Sequence, residues 1–143
     1  MAAGRSNFAH LADEAGLPHG ERRHWYDSTP AHEAAEWATE QGAGDAFRWG
    51  VYQAYFVHDR NIGSADVLAE IASEVGLDAD DLRTALREGR YRDRVQAQYE
   101  EAREIGVTAV PTFVAADRYA IVGAHPYENF QKLLAAVAQE ASP

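Results

Sequence analysis

Thiol chemistry is excluded at once. None of the 143 residues is a cysteine, so the sequence holds no disulfide, no thiolate nucleophile and no thiolate metal site. Six histidines could ligate a metal or move protons: His10, His19, His24, His32, His58 and His125. No two stand as His-x3-His on an expected helix, and none lies in an HExxH pattern, so no metal ligand is assigned. His32-Glu33 reads as a polar pair at a helix start. His58-Asp59 reads as a helix end, where a protonated imidazole suits the dipole, and His125 reads as a cap before Pro126. Asp78, Asp80 and Asp81 crowd the first turn of one helix, without the ligand spacing and central glycine of a calcium loop. Ser/His/Asp catalysis finds no nucleophile elbow. No catalytic residue, metal or cofactor is expected of this chain.

The remaining chemistry is that of a backbone shaped by proline. The stretch Gly106–Gly123 reads GVTAVPTFVAADRYAIVG. Gly106 can take the left-handed conformation that stops a helix. Pro111 has no N–H and a fixed φ. Two β-rich runs follow, Thr112–Ala116 and Tyr119–Val122, parted by Asp117-Arg118. A proline at the mouth of a hairpin is where a cis X-Pro bond is expected. Ala109, Val110, Pro111 and Thr112 form this loop, whose plainest reading is a turn proline kept for the fold. The pair Ala116-Asp117 suits a tight type I′ turn poorly, because Ala tolerates φ > 0 badly, so a wider or different turn is expected.

The elements that position this stretch are helices. Ser6 is placed to cap Asn7–Ala15, and Leu17–Thr29 has no period, so it reads as a loop anchored by Trp25. Pro30 opens Ala31–Gln41, whose Ala34, Ala35, Trp37 and Ala38 permit close packing. Asp45 can cap Ala46–His58, which is apolar on nearly every side and is expected at the centre of the helical part. Ser64 and Asp78 can cap Ala65–Val75 and Ala79–Glu88, and Arg92–Ile105 leads to Gly106. Pro126 starts the last helix, with Tyr127, Phe130, Leu133, Leu134 and Val137 facing inward. These helices share no fixed period, which excludes a solenoid. The aromatics Trp25, Trp37, Trp49, Tyr52, Tyr55 and Phe56 read as core, with a substrate groove as the lesser alternative.

The run GVTAVPTF, its hairpin and its final helix resemble the C-terminal part of the DsbA-like thioredoxin-fold oxidoreductases, and most of all the FrnE-type branch. His32-Glu33-Ala34-Ala35-Glu36-Trp37-Ala38, Gly44-Asp45-Ala46-Phe47 and Arg60-Asn61-Ile62-Gly63 are similar to the helical domain inserted in that fold. The resemblance implies that Pro111 is cis and that Ala109, Val110, Pro111 and Thr112 are the candidate binding residues, with Val110 offering its backbone to an extended peptide or a glutathione-like ligand. It implies a partial thioredoxin-like fold, mainly α with one β-hairpin, without the N-terminal β-α-β unit that carries the family's Cys-x-x-Cys. Residues 1–105 would be the helical region and 106–143 the thioredoxin-like hairpin and helix, in one compact unit overall.

Two functions follow as expectations. One is the substrate-side portion of a disulfide oxidoreductase, redox-inactive by itself. The other is a Cys-less binding or assembly module. In both, the strand Thr112–Ala116 should present an unpaired edge. A homodimer through that strand, or a separate catalytic half, is the expected partner. Glutathione-using transferases and isomerases share the architecture, and their catalytic residue also has no counterpart here.

Composition agrees with a globular domain: 46% hydrophobic and 25% charged residues. A net charge of −10 repels phosphate, so no nucleic-acid partner is expected. No signal-peptide core or transmembrane run appears, which sets a cytoplasmic, membrane-free expectation.

Overall fold

The computed structural model describes the backbone of residues 2–140 and the side chains of residues 8–139. The elements in chain order are α1 (Ala2–Glu14), α2 (Thr29–Glu40), α3 (Gly44–Tyr52), a π turn (Gln53–Val57), α4 (Ala65–Glu74), α5 (Ala79–Glu88), α6 (Arg92–Glu104), β1 (Thr112–Ala115), β2 (Tyr119–Val122) and α7 (Tyr127–Glu140). The class is mainly α with one antiparallel hairpin, as the sequence pattern implies. Contacts divide the chain into two units, Met1–Ala97 and Gln98–Pro143. The sequence reading set the divide at Gly106 and expected one compact unit. The divide instead falls inside α6, a helix with no buried residue to bind it along its length.

The first unit owns the core. Trp37, Phe47, Leu68, Ile71 and Leu82 are its largest fully buried side chains. Ala34, Trp37 and Ala38 fall at helical spacing on one face of α2. Leu68, Ile71 and Ala72 do so on α4, and Leu82 and Ala85 on α5. Burying each large apolar side chain contributes about 1.5–3 kcal/mol. The start of α5 is held by the Asp78 carboxylate, which accepts from the amides of Asp80 at 2.9 Å and Asp81 at 3.1 Å.

Several local expectations change. α1 begins at Ala2, so Ser6 lies within it; the cap expected of its side chain falls outside the described residues. α3 starts one residue before Asp45, which therefore sits in the first turn and reaches Arg48 at 3.5 Å. Ser64 does hold the N-cap position of α4, but its side chain makes no capping bond. The helix expected over Ala46–His58 passes into the π turn at Gln53, where the His58 amide donates to the Gln53 carbonyl at 3.1 Å. It is not buried on every side: Phe47 is fully buried, whereas Trp49 is exposed.

Among the described residues of the second unit β1 pairs with β2 alone, in the register Thr112↔Val122 to Ala115↔Tyr119. Phe113 meets Phe130 of α7 edge to face at 4.8 Å. Of the five apolar residues expected to face inward on α7, Phe130, Leu133 and Val137 are half-buried, while Tyr127 and Leu134 are exposed. At 100° per residue those two fall on the flank of the stripe, beyond the width that two strands can cover. No described residue from 98 to 139 is fully buried.

Candidate functional site

The proline loop is fixed at both ends. Gly106, with φ 85°, ends α6 and allows the Val107 amide to close back on the Ala102 carbonyl at 2.9 Å. At the other end the Pro111 carbonyl accepts from the Gly123 amide at 2.7 Å, which locks the loop to the end of β2. Between them the Thr112 hydroxyl donates to the Ala109 carbonyl at 2.6 Å. The Val110–Pro111 peptide bond is cis.

These bonds leave one residue standing out. Val110 is 88% exposed, and among the described residues its N–H and C=O take part in no hydrogen bond. Ala109 and Pro111 are exposed beside it, and Thr112 is half-buried as the first residue of β1. The four residues predicted as a site therefore form one continuous surface. It can offer a backbone donor and acceptor to an extended chain, next to a strand whose outer edge has no partner among the described residues. The loop carries no acid or base of its own, and its one hydroxyl, on Thr112, is engaged by the Ala109 carbonyl.

The hairpin tip is a three-residue loop, Ala116–Arg118, between the paired Ala115 and Tyr119, wider than a two-residue turn as expected. Ala116 and Asp117 have φ of 52° and 53°, and the Arg118 amide donates to the Ala115 carbonyl at 3.3 Å. Those are the φ signs of a type I′ turn, adopted here in spite of Ala116. β1 correspondingly ends at Ala115, one residue short of the predicted strand. His125 does not cap the backbone of α7. Its ring bonds the Val122 carbonyl at 3.1 Å and the Asn129 side chain at 3.2 Å.

The first unit holds a cluster of polar and aromatic side chains that no sequence period announces. The segment 18–26, part of the loop expected over Leu17–Thr29 with Trp25 as its anchor, is strapped onto the end of α3 and the π turn. Tyr52 donates its hydroxyl to the Pro18 carbonyl at 3.3 Å, and the Gly20 amide donates to the Phe56 carbonyl at 2.8 Å. A Cβ on Gly20 would lie 2.3 Å from the Val57 carbonyl oxygen, so only glycine permits this approach. The His24 ring bonds Asp59 at 2.7 Å, and Tyr26 donates to the Asp59 carbonyl at 3.1 Å. Burial pushes the Asp59 carboxyl up, but the bonds from the His24 ring and from the His24 and Arg23 amides together outweigh it and hold the group below its ordinary value. His58, read as closing the helix on its dipole, makes only its backbone bond there; the neighbouring carboxylate serves His24 instead.

The aromatic residues separate into two groups. Trp37 is core and donates its indole N–H to Asp81 at 2.8 Å. Trp49, Tyr52, Phe56 and Phe8 stack in a row, at 5.1, 4.9 and 5.0 Å between successive rings. Trp25, expected as an anchor, is 72% exposed and touches the Arg22 guanidinium. Among the described residues no three His, Cys, Asp or Glu side chains come together as a metal-ligand set. No described helix is long and apolar enough to cross a membrane.

A family model described as the DSBA-like thioredoxin domain matches residues 7–135. The uncharacterized protein YwbO of Bacillus subtilis (strain 168) is 40% identical over 109 residues, which cover 73% of this chain and 52% of YwbO. A probable DsbA oxidoreductase from Streptomyces coelicolor superposes with a TM-score of 0.87 at 32% identity, over 99% of this chain and 62% of that one. A putative protein disulfide isomerase from Nitrosomonas europaea superposes with a TM-score of 0.78 at 18% identity, over 99% of this chain and 74% of that one, a likeness of fold alone. The chain thus spans about half the length of the curated relative it matches.

Proposed function

The chain belongs to the DSBA-like thioredoxin domain family, and from that membership we propose that it is the substrate-side portion of a protein disulfide oxidoreductase. In this reading the cis-proline loop Ala109–Thr112 holds an extended polypeptide, while the thiols come from outside these residues. The chain alone is redox-silent, because exchange needs an attacking thiolate and the sequence has no cysteine. The single observation behind the reading is Val110: almost fully exposed, with both backbone groups unused beside an open strand edge.

The test is a photocrosslinker at this position. Val110→p-benzoylphenylalanine should capture reduced, S-alkylated insulin B chain on irradiation, and the same residue placed at Glu74 on α4 should not. Equal capture at both positions would sink the reading.

The second unit also favours a second reading. None of its described residues is fully buried, and it exposes Phe113, Val114, Val122 and Leu134. A unit so short of core gains most from a further strand on β1, and a second copy of the chain can supply it. The chain would then be a redox-silent assembly module, dimeric through Thr112–Ala115. Mass in solution across a dilution series separates the two: a dimer that persists at nanomolar concentration supports assembly, and a monomer excludes it.

A further inference from the structure

The first unit carries a cleft of its own. Among the described residues it is lined by Phe8 and Ala9 of α1 and by His19, Gly20, Glu21, Arg22 and Arg23 of the strap, and its volume is about 520 Å³. That is the size of a small-molecule site. One wall is aromatic: Phe8, whose ring is backed by Phe56 at 5.0 Å. The strap that forms the other wall cannot move inward, since Gly20 already lies against the Val57 carbonyl.

Arg22 gives this cleft its chemistry. Its guanidinium lies 4.5 Å from the Trp25 ring centre, 5.0 Å from Tyr55 and 5.3 Å from Phe56. Among the described residues it makes no ion pair, although the chain has ten more acidic than basic residues. Arg23, Arg48, Arg60, Arg83, Arg90 and Arg94, by contrast, each reach a carboxylate. Cation–π contact leaves guanidinium N–H donors available to a planar anion. The nearby acids do not fill that role: Glu21 is held by Arg23 at 2.7 Å and Asp13 by His19 at 3.0 Å.

We propose that this cleft binds a small organic monocarboxylate with an aromatic or apolar body, the body against Phe8 and the carboxylate on Arg22. The π turn is what builds the site. It sets Tyr55 and Phe56 side by side under Arg22 and turns the Phe56 carbonyl to the Gly20 amide.

The experiment uses the full ¹⁵N-labelled chain titrated with naphthalene-1-acetate and, separately, with its uncharged isostere naphthalene-1-acetamide. Saturable amide shifts are expected at Ala9, Gly20, Arg22 and Arg23, with the acid bound at least about tenfold more tightly than the amide. That preference should disappear in Arg22→Gln. Ala9→Trp, which fills the cleft and leaves Arg22 in place, should abolish the shifts while the remaining spectrum stays dispersed. Should Arg22→Gln loosen the strap, the acid-to-amide ratio in the unsubstituted chain and the Ala9→Trp result still decide. Equal affinity for acid and amide, no saturable binding of either at millimolar concentration, or shifts centred on Phe113 and Leu134 would overturn the proposal.

Discussion

The buried indole of Trp37 donates its N–H to the carboxylate of Asp81 at 2.8 Å, which ties α2 to the first turn of α5. The Asp78 cap sets the backbone of that turn, and Arg90 grips the second Asp81 oxygen at 2.9 Å. Removing the acceptor leaves a buried N–H without a partner. Asp81→Ala should lower Tm by a few degrees, and Asp81→Asn, which keeps an acceptor oxygen, by less. The bonds from Trp37 and then Arg90 hold the Asp81 carboxyl below its ordinary value of 3.8, against the opposing push of burial. A depressed folded pKa means stability that is present above the unfolded value and lost as pH falls through the folded one. Denaturation scans should therefore show stability falling below about pH 4, with a shallower slope in Asp81→Asn. An unchanged slope would contradict this.

At the other end of the pH scale, burial and the hydrogen bond to Glu40 push the Tyr91 hydroxyl up to about 12. The protonated phenol is the form the fold prefers, so its stabilisation is complete below pH about 10 and disappears as pH rises toward 12. A tyrosinate titration at 295 nm should contain a late step that Tyr91→Phe removes. In that variant stability should fall less steeply over the same interval.

Gly20 is the narrowest point of the strap. Gly20→Ala must displace backbone, since the new Cβ would meet the Val57 carbonyl at 2.3 Å. The expected cost is roughly 1–3 kcal/mol in urea unfolding, as for other overpacked sites. A neutral result would show that the strap sits off the π turn in solution.

The hairpin tip can be improved. Ala116 holds φ 52°, which costs an L-residue roughly 1–2 kcal/mol. Ala116→Asn tolerates that conformation without glycine's extra freedom in the unfolded chain. Amide exchange in β1 and β2 should slow about fivefold for a gain near 1 kcal/mol.

Much of this was legible in the sequence for simple reasons. The apolar stripes of α2, α4 and α5 repeat at helical spacing, and Asp78 stands at the start of α5 where a cap is required. The Ala109–Thr112 loop was legible because Gly106 and Pro111 punctuate it. The strap was not, because its partners lie far along the chain: His24 to Asp59, and Pro18 to Tyr52. Such contacts leave no period. The π turn was hidden because one extra residue in a helical ladder changes neither composition nor polarity. The wider turn was legible because Ala tolerates φ > 0 poorly; the positive φ of Ala116 was not, because the pairing of β1 with β2 imposes it.

Whether the Ala109–Thr112 loop receives an extended polypeptide is decided most directly by titrating the ¹⁵N-labelled chain with reduced, S-alkylated insulin B chain. Saturable shifts centred on Ala109, Val110, Thr112 and Phe113, absent when the same peptide is withheld or replaced by free amino acids, are the predicted result. Shifts confined to residues 8–97, or none at millimolar peptide, would contradict the assignment of this loop as the substrate-binding edge of the family's fold.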